Sequence, residues 1–215
     1  MTFGLAYRDV LIFWRRNSKK NYIYNAVLFL VLALAVGRFG AATYIFLMAM
    51  AQMTTAPVML KEADVNHKGW LFSLSLPCSE REIVRGRFLA AYLIQLPYLI
   101  SMPVFSVIHS LVHRCYPPEY YMKLMLAAWI CAIIITAVNL TVSFAAGMDV
   151  VAVLYMLLIC LFVLGYLIVM LADIDLTFLF FLNEWLLIAA GFALAFLVTG
   201  ICYLLAVNIY KKQKR

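Results

Sequence analysis

Six long runs of apolar residues divide this 215-residue chain, and almost every charge lies between them. They are Tyr22–Gly37, Phe39–Leu60, Phe88–Val112, Leu124–Met148, Val150–Ala172 and Trp185–Tyr210, and none contains Asp, Glu, Lys or Arg. A helix crossing the hydrocarbon core of a bilayer needs about 20 apolar residues. Five runs reach that length. The first, from Tyr22 to Gly37, is about 24 Å as a helix and must borrow flanking residues or sit in thinned bilayer. The runs are continuous rather than alternating, which excludes barrel strands. The pattern predicts an all-α membrane protein, a single domain over 1–215 with six transmembrane helices.

Three polar stretches interrupt this pattern. Residues 1–20 place Phe3, Tyr7, Val10, Phe13 and Trp14 at near-helical spacing, with Arg8, Asp9, Arg15, Arg16 and Lys19 mostly off that stripe. This predicts a basic amphipathic helix in the membrane interface; a plain topogenic flank is the alternative. Residues 61–87, KEADVNHKGWLFSLSLPCSEREIVRGR, form the longest charge-bearing segment between two apolar runs. Residues 173–184, DIDLTFLFFLNE, have an apolar centre too short to cross, so they lie flat on the surface or dip in as a re-entrant segment.

Charge sets the orientation. Arg8, Arg15, Arg16, Lys19 and Lys20 precede the first span. Lys61, Lys68, Arg81, Arg85 and Arg87 lie in the 61–87 loop, and Lys211, Lys212, Lys214 and Arg215 in the tail. These are fourteen of the 17 basic residues; Arg38, Arg114 and Lys123 fall on the other side. The positive-inside rule places both termini and the 61–87 loop in the cytoplasm of a multi-pass cell-membrane protein. With 67% hydrophobic and 13% charged residues, lipid must be the main solvent. Anionic headgroups account for the +7 net charge, and no nucleic-acid partner is expected. No cleaved leader is expected, since the first apolar run starts at Tyr22 behind a basic segment. The five cysteines contain no CxxC pair and read as small buried hydrophobes.

The spans carry a few polar residues. In the second, Gln52, Thr54, Thr55 and Pro57 cluster; they face the protein interior or a wet cavity, or the threonines bond their own backbone. Gln95, Pro97 and Pro103 mark the third, and each proline removes a backbone hydrogen bond and invites a kink. His109 and His113 lie four apart on one helix face. Two ligands do not close a tetrahedral metal site, so they are expected as polar residues at the outer interface. Asn139, Thr141 and Ser143 occupy the inner end of the fourth span. Asp149 is an N-cap for the fifth helix or a minor cytoplasmic contact. Gly191 and Ala195, four apart, permit close helix approach, within the chain or between two copies. Gln52, Thr55, Gln95 and Asn139 are the candidates for a substrate path.

Within 61–87, Asp64 to Leu76 has the makings of a short helix with Trp70, Leu71 and Leu74 on one side, ended by Leu76-Pro77. Ser79-Glu80-Arg81-Glu82 fits a capping box that restarts a helix into the third span. A stop, a breaker and a restart predict a shaped hairpin rather than a flexible linker, with its apolar residues covered by protein or by lipid.

A Trp-containing segment followed by Leu-Pro, Ser, Glu/Arg and an Ile-Val run feeding a span resembles the type-2 ABC transporter permeases. The resemblance implies a six-span exporter subunit with an elbow helix at 1–20, a cytoplasmic coupling helix at 62–82 and an external excursion at 173–184. It also implies a second permease copy, identical or paralogous, and a cytoplasmic ABC ATP-binding subunit that binds ATP and Mg. This chain has no GxxxxGK[ST] of its own, needs no cofactor and is not expected to be an enzyme. Glu62, Asp64, His67, Trp70, Leu74, Glu80 and Arg81 are the candidates for docking the ATPase. The expected function is ATP-driven export by alternating access. Charge-free, Met- and aromatic-rich spans disfavour small hydrophilic ions and suit amphipathic or hydrophobic cargo; the resemblance implies toxin-like or antimicrobial peptides, or lipophilic drugs, with the peptides favoured. The alternatives are a membrane scaffold or sensor subunit and an intramembrane enzyme, the latter against the absence of acids in the spans.

Overall fold

The computed structural model describes residues 2–16, 19–37, 39–66, 78–146, 148–171 and 183–213, and the regular elements among them are all helical. α1 (Thr2–Arg16) precedes α2 (Lys19–Leu34). The second apolar run is not one regular helix. α3 (Gly40–Ala42), a π-helical stretch (Thr43–Ala49), α4 (Met50–Thr54) and α5 (Ala56–Asn66) follow end to end. Then come α6 (Glu80–His113), α7 (Pro118–Ala145), α8 (Met148–Leu171) and α9 (Glu184–Gln213). Gly40–Glu62, Glu80–His113, Pro118–Ala145 and Glu184–Lys212 are long and apolar enough to cross a membrane, while Ile23–Leu34 and Asp149–Gly165 are apolar but shorter.

The helical residues described within the charged segment 61–87 are the end of α5 and the start of α6. Lys61–Asn66 continue α5, so Asp64 does not open a separate short helix. The helix entering the third apolar run starts at Glu80. Ser79 caps it as expected: its hydroxyl accepts from the Glu82 amide at 3.3 Å, and the Glu82 carboxylate accepts from the Ser79 amide at 3.0 Å. α6 then runs without a break through Pro97 and Pro103 for 34 residues, about 51 Å. That exceeds a hydrocarbon core of about 30 Å, so its ends extend beyond it. Asp149 lies in the first turn of α8 rather than capping it. Residues 173–182 of the proposed excursion lie outside the described residues; Asn183 opens α9, its side chain accepting from the Trp185 amide.

Two apolar clusters hold the bundle, one toward each end. At the end carrying both termini, Ala6 and Phe13 of α1 pack with Ala56, Leu60, Val84, Phe88, Leu140, Ala206 and Val207. At the opposite end Leu32, Tyr44, Ile45, Met102, Phe105, Tyr121 and Ala128 form the second. The face α1 turns to the bundle takes in part of its apolar stripe, with Val10 and Trp14 packed beside Phe13. Leu5, Ala6, Asp9 and Phe13 are buried, whereas Phe3 and Tyr7 point outward. α9 lies along α7, where a Cβ on Gly191 would come within 2.8 Å of Ile130 Cδ1, and Ala195 is fully buried. These small residues therefore serve packing within the chain. The cysteines are unbridged; Cys202 is buried, but Cys160 is exposed on α8.

Candidate functional site

Three polar assemblies lie along the bundle, and the first follows from the break in the second apolar run. At Thr55 the backbone amide turns to the Gln52 carbonyl, three residues back, instead of Ala51. Pro57, four residues after Met53, has no amide hydrogen to offer the Met53 carbonyl. A carbonyl left bare in an apolar medium costs several kcal/mol, so donors must come from elsewhere. Tyr155 of α8 donates its hydroxyl to Ala51 O at 2.8 Å, and Gln95 of α6 donates Nε2 to Met53 O at 3.2 Å. Gln95 Nε2 also reaches Thr136 Oγ1 of α7 at 2.6 Å. Gln52 donates to Asn25 Oδ1 of α2 at 2.6 Å, while the Thr54 and Thr55 hydroxyls bond backbone carbonyls three residues back. Both readings of the Gln52–Thr55 cluster thus hold, for different residues. Asn139, one turn beyond Thr136, is fully buried, and neither atom of its amide has a hydrogen-bond partner.

The interlock makes a graded prediction. Gln95→Leu bares both Met53 O and the Thr136 hydroxyl and should cost about 1–2 kcal/mol, the range for interhelical hydrogen bonds in membranes. Thr136→Val leaves Gln95 on Met53 O and should cost clearly less. Equilibrium unfolding of the purified protein in mixed micelles measures both, and equal costs would mean that Gln95 does not hold the broken turn.

The second assembly sits at the end carrying the termini. Gly86 lets α1 cross the base of α6 closely: an added Cβ would meet Leu5 Cβ at 3.2 Å and Thr2 O at 3.4 Å. The next residue, Arg87, is buried, its Nη2 shared between Asp64 Oδ1 and Oδ2 at 2.5 and 2.6 Å. Its Nη1 lies 3.2 Å from Asp9 Oδ2 on α1. Asp9, 1% exposed, also accepts from Arg8 Nε and Nη2 at 3.1 and 2.8 Å. Arg8, Asp9, Arg87 and Asp64 alternate in sign and sum to zero, the condition under which charges survive burial. This ties three elements together: α1, the end of α5 and the start of α6.

The docking candidates divide accordingly. Asp64 turns inward to Arg87, Glu62 and Glu80 are half-buried, and Arg81 is exposed, its carbonyl 3.5 Å from the Tyr203 hydroxyl of α9. His67, Trp70 and Leu74 lie outside the described residues.

The third assembly lies at the opposite end. His109 is fully buried rather than interfacial. Its Nε2 faces the Val36 and Gly37 carbonyls at 3.1 and 3.0 Å, which can only accept, so Nε2 carries the hydrogen. Nδ1 then accepts from the Tyr121 hydroxyl at 2.7 Å. Both nitrogens are thus engaged by protein, and His109 serves as a packing hub stacked on Phe105. Nearby, Lys123 of α7 pairs with Glu184 at the start of α9.

Asp9, Arg87, Thr136, Tyr155 and Asn25 were not singled out from the sequence. Pro57 was the one usable signal, because a proline in a helix names the carbonyl that will need a donor, though not which side chain supplies it.

Residues 4–211 match the family described as ABC-2 family transporter protein. No curated protein matches the chain. The match runs through every helix described above, and the chain therefore belongs to the ABC-2 transporter family, as a transmembrane permease subunit.

Proposed function

We propose that the chain is the six-span permease of an ATP-driven exporter, with both termini in the cytoplasm. α2, the broken segment α3–α5, α6, α7, α8 and α9 supply the spans, and α1 is the elbow helix in the inner interface. The connection between α5 and α6 docks a cytoplasmic ABC ATP-binding subunit, which binds ATP and Mg. A second permease copy, identical or paralogous, completes the transporter. Closure of the ATPase pair moves the two docking segments and shifts the spans between inward- and outward-facing access.

One observation carries this reading. The helices flanking the docking segment are joined at its root by the Arg87–Asp64 pair, and α6 is capped at its first turn by Ser79 and Glu82. A segment held that firmly at both ends can pass a push onward, which a flexible loop cannot. The cargo is amphipathic, and toxin-like or antimicrobial peptides fit best: the spans carry no charge, and Gln52, Thr55, Gln95 and Asn139 supply neutral amides and hydroxyls. Asn139 suits that role most directly, because its amide is uncommitted.

Trp70→Ala combined with Leu74→Asp should release the ATP-binding subunit during purification and abolish stimulated turnover. A complex that keeps its ATPase and its turnover would move the docking site elsewhere. In nanodiscs, amphipathic peptides should stimulate ATP hydrolysis, and stimulation by sugars alone would remove the cargo assignment.

A further inference from the structure

Arg87 forms ion pairs with carboxylates on two other helices. Those helices play different parts. α5 leads directly into the docking segment, because Asp64 stands two residues before its last residue, Asn66. α1 lies outside the bundle and touches it chiefly at the base of α6, over Gly86. Nothing in the chain's connectivity forces α1 to follow α5, for α2 and the whole of the α3–α4 region separate them. In space they share an apolar contact, Ala6 and Phe13 with Ala56 and Leu60, and one guanidinium supplies the polar link between them.

We propose that Arg87 is a positioning residue that makes α1, the end of α5 and the base of α6 move as one body. Resting on the docking role assigned above, it passes displacement of the docking segment to the elbow helix and into the spans. The geometry is suited to this. Nη2 is shared between both Asp64 oxygens, a charge-assisted contact that ties α5 to α6. The third contact, to Asp9, comes from the other terminal nitrogen, so α1 is held by the same rigid plane. Movement of α5 therefore also reaches the broken turn at Thr55, one residue before α5 begins, and with it Gln95 and Tyr155.

Charge balance makes the idea testable without wrecking the fold. Removing Arg87 alone strands two carboxylates. Removing Arg87 and Asp64 together leaves Asp9 on Arg8, and the half-buried Lys61 loses an attraction to Asp64 and a repulsion from Arg87 at once. Arg87→Met with Asp64→Asn should therefore fold while losing the joint. The first readout is hydrogen exchange of the permease alone in nanodiscs. Residues 2–16 and 60–66 should exchange at least tenfold faster in the double variant, with α7 and α9 unchanged. The second is the complex with its ATP-binding subunit, where a defined amphipathic helical peptide exported per ATP hydrolysed should fall at least tenfold. Arg87→Lys keeps the charge but not the fork and should lie between wild type and the double variant in both readouts; it also decides the matter should the double variant not fold. Unchanged exchange in residues 2–16, or unchanged coupling, overturns the joint. A wild-type complex that hydrolyses no ATP instead overturns the transporter assignment, and the exchange measurement still decides the joint.

Discussion

Arg87→Met alone is expected to lower stability by about 3–5 kcal/mol, the usual cost of removing one partner from a buried ion pair. The loss is not that of the hydrogen bonds themselves, each of which nets little against water. It comes from what remains. Asp9 is 1% exposed and Asp64 also faces the site, so two carboxylates would share a protein-lined space with Arg8 beside Asp9 and the half-buried Lys61 near Asp64 as the remaining cations. Asp64→Asn should be milder, because Arg87 keeps Asp9 and the Asp64 side chain is about a quarter exposed. The double variant should be closer to wild type than Arg87→Met, an inversion that a simple count of lost contacts would not produce. Unfolding in mixed micelles under an SDS gradient measures all three. A cost near 1 kcal/mol for Arg87→Met would mean that water reaches the cluster and screens it.

Much of this arrangement was legible before any coordinates, and the parts that were not share a cause. The apolar runs located the helices because excluding charge from hydrocarbon is a strong constraint. The Ser79 capping box was readable because it is a local rule acting over three residues. The apolar stripe of α1 did not say which face meets the bundle. Phe3 and Tyr7 are apolar and so are Leu5 and Ala6; lipid and protein interior both accept them, so periodicity alone cannot say which side meets the bundle. Asp9 was the better guide, since a carboxylate is buried only where cations wait; one of them, Arg8, is its neighbour in sequence, but the one that ties α1 to the bundle, Arg87, is far along the chain. His109 failed in the same way. Its spacing to His113 suggested a surface pair, while its actual partners, Val36, Gly37 and Tyr121, come from two other parts of the chain. Family membership over residues 4–211 bears out the permease resemblance carried by the Trp70–Arg87 stretch, although part of that stretch lies outside the described residues.

The seam between α2, α3 and α6 supplies the second large effect. Gly40 sits where an added Cβ would stand 2.8 Å from the Leu32 carbonyl oxygen and 3.0 Å from His109 Nε2. The first neighbour is backbone, which cannot rotate away. The second is a ring already fixed by the Val36 and Gly37 carbonyls and by Tyr121. Gly40→Ala should therefore cost about 1–3 kcal/mol as an overpacking change. His109→Ala should cost about 2–5 kcal/mol, since it opens a cavity against Phe105 and leaves the Tyr121 hydroxyl and two carbonyls without their partner. The two changes should not add. Removing the imidazole relieves one of the two clashes made by the methyl group, so the double variant should fall short of the sum by about 0.5–3 kcal/mol, the coupling expected of residues in contact. The clash with Leu32 remains, so the double variant should still be less stable than His109→Ala alone. Strict additivity in the same unfolding measurement would mean that α3 can shift away from α6 without disturbing His109, and the seam would then be a loose contact rather than a lock.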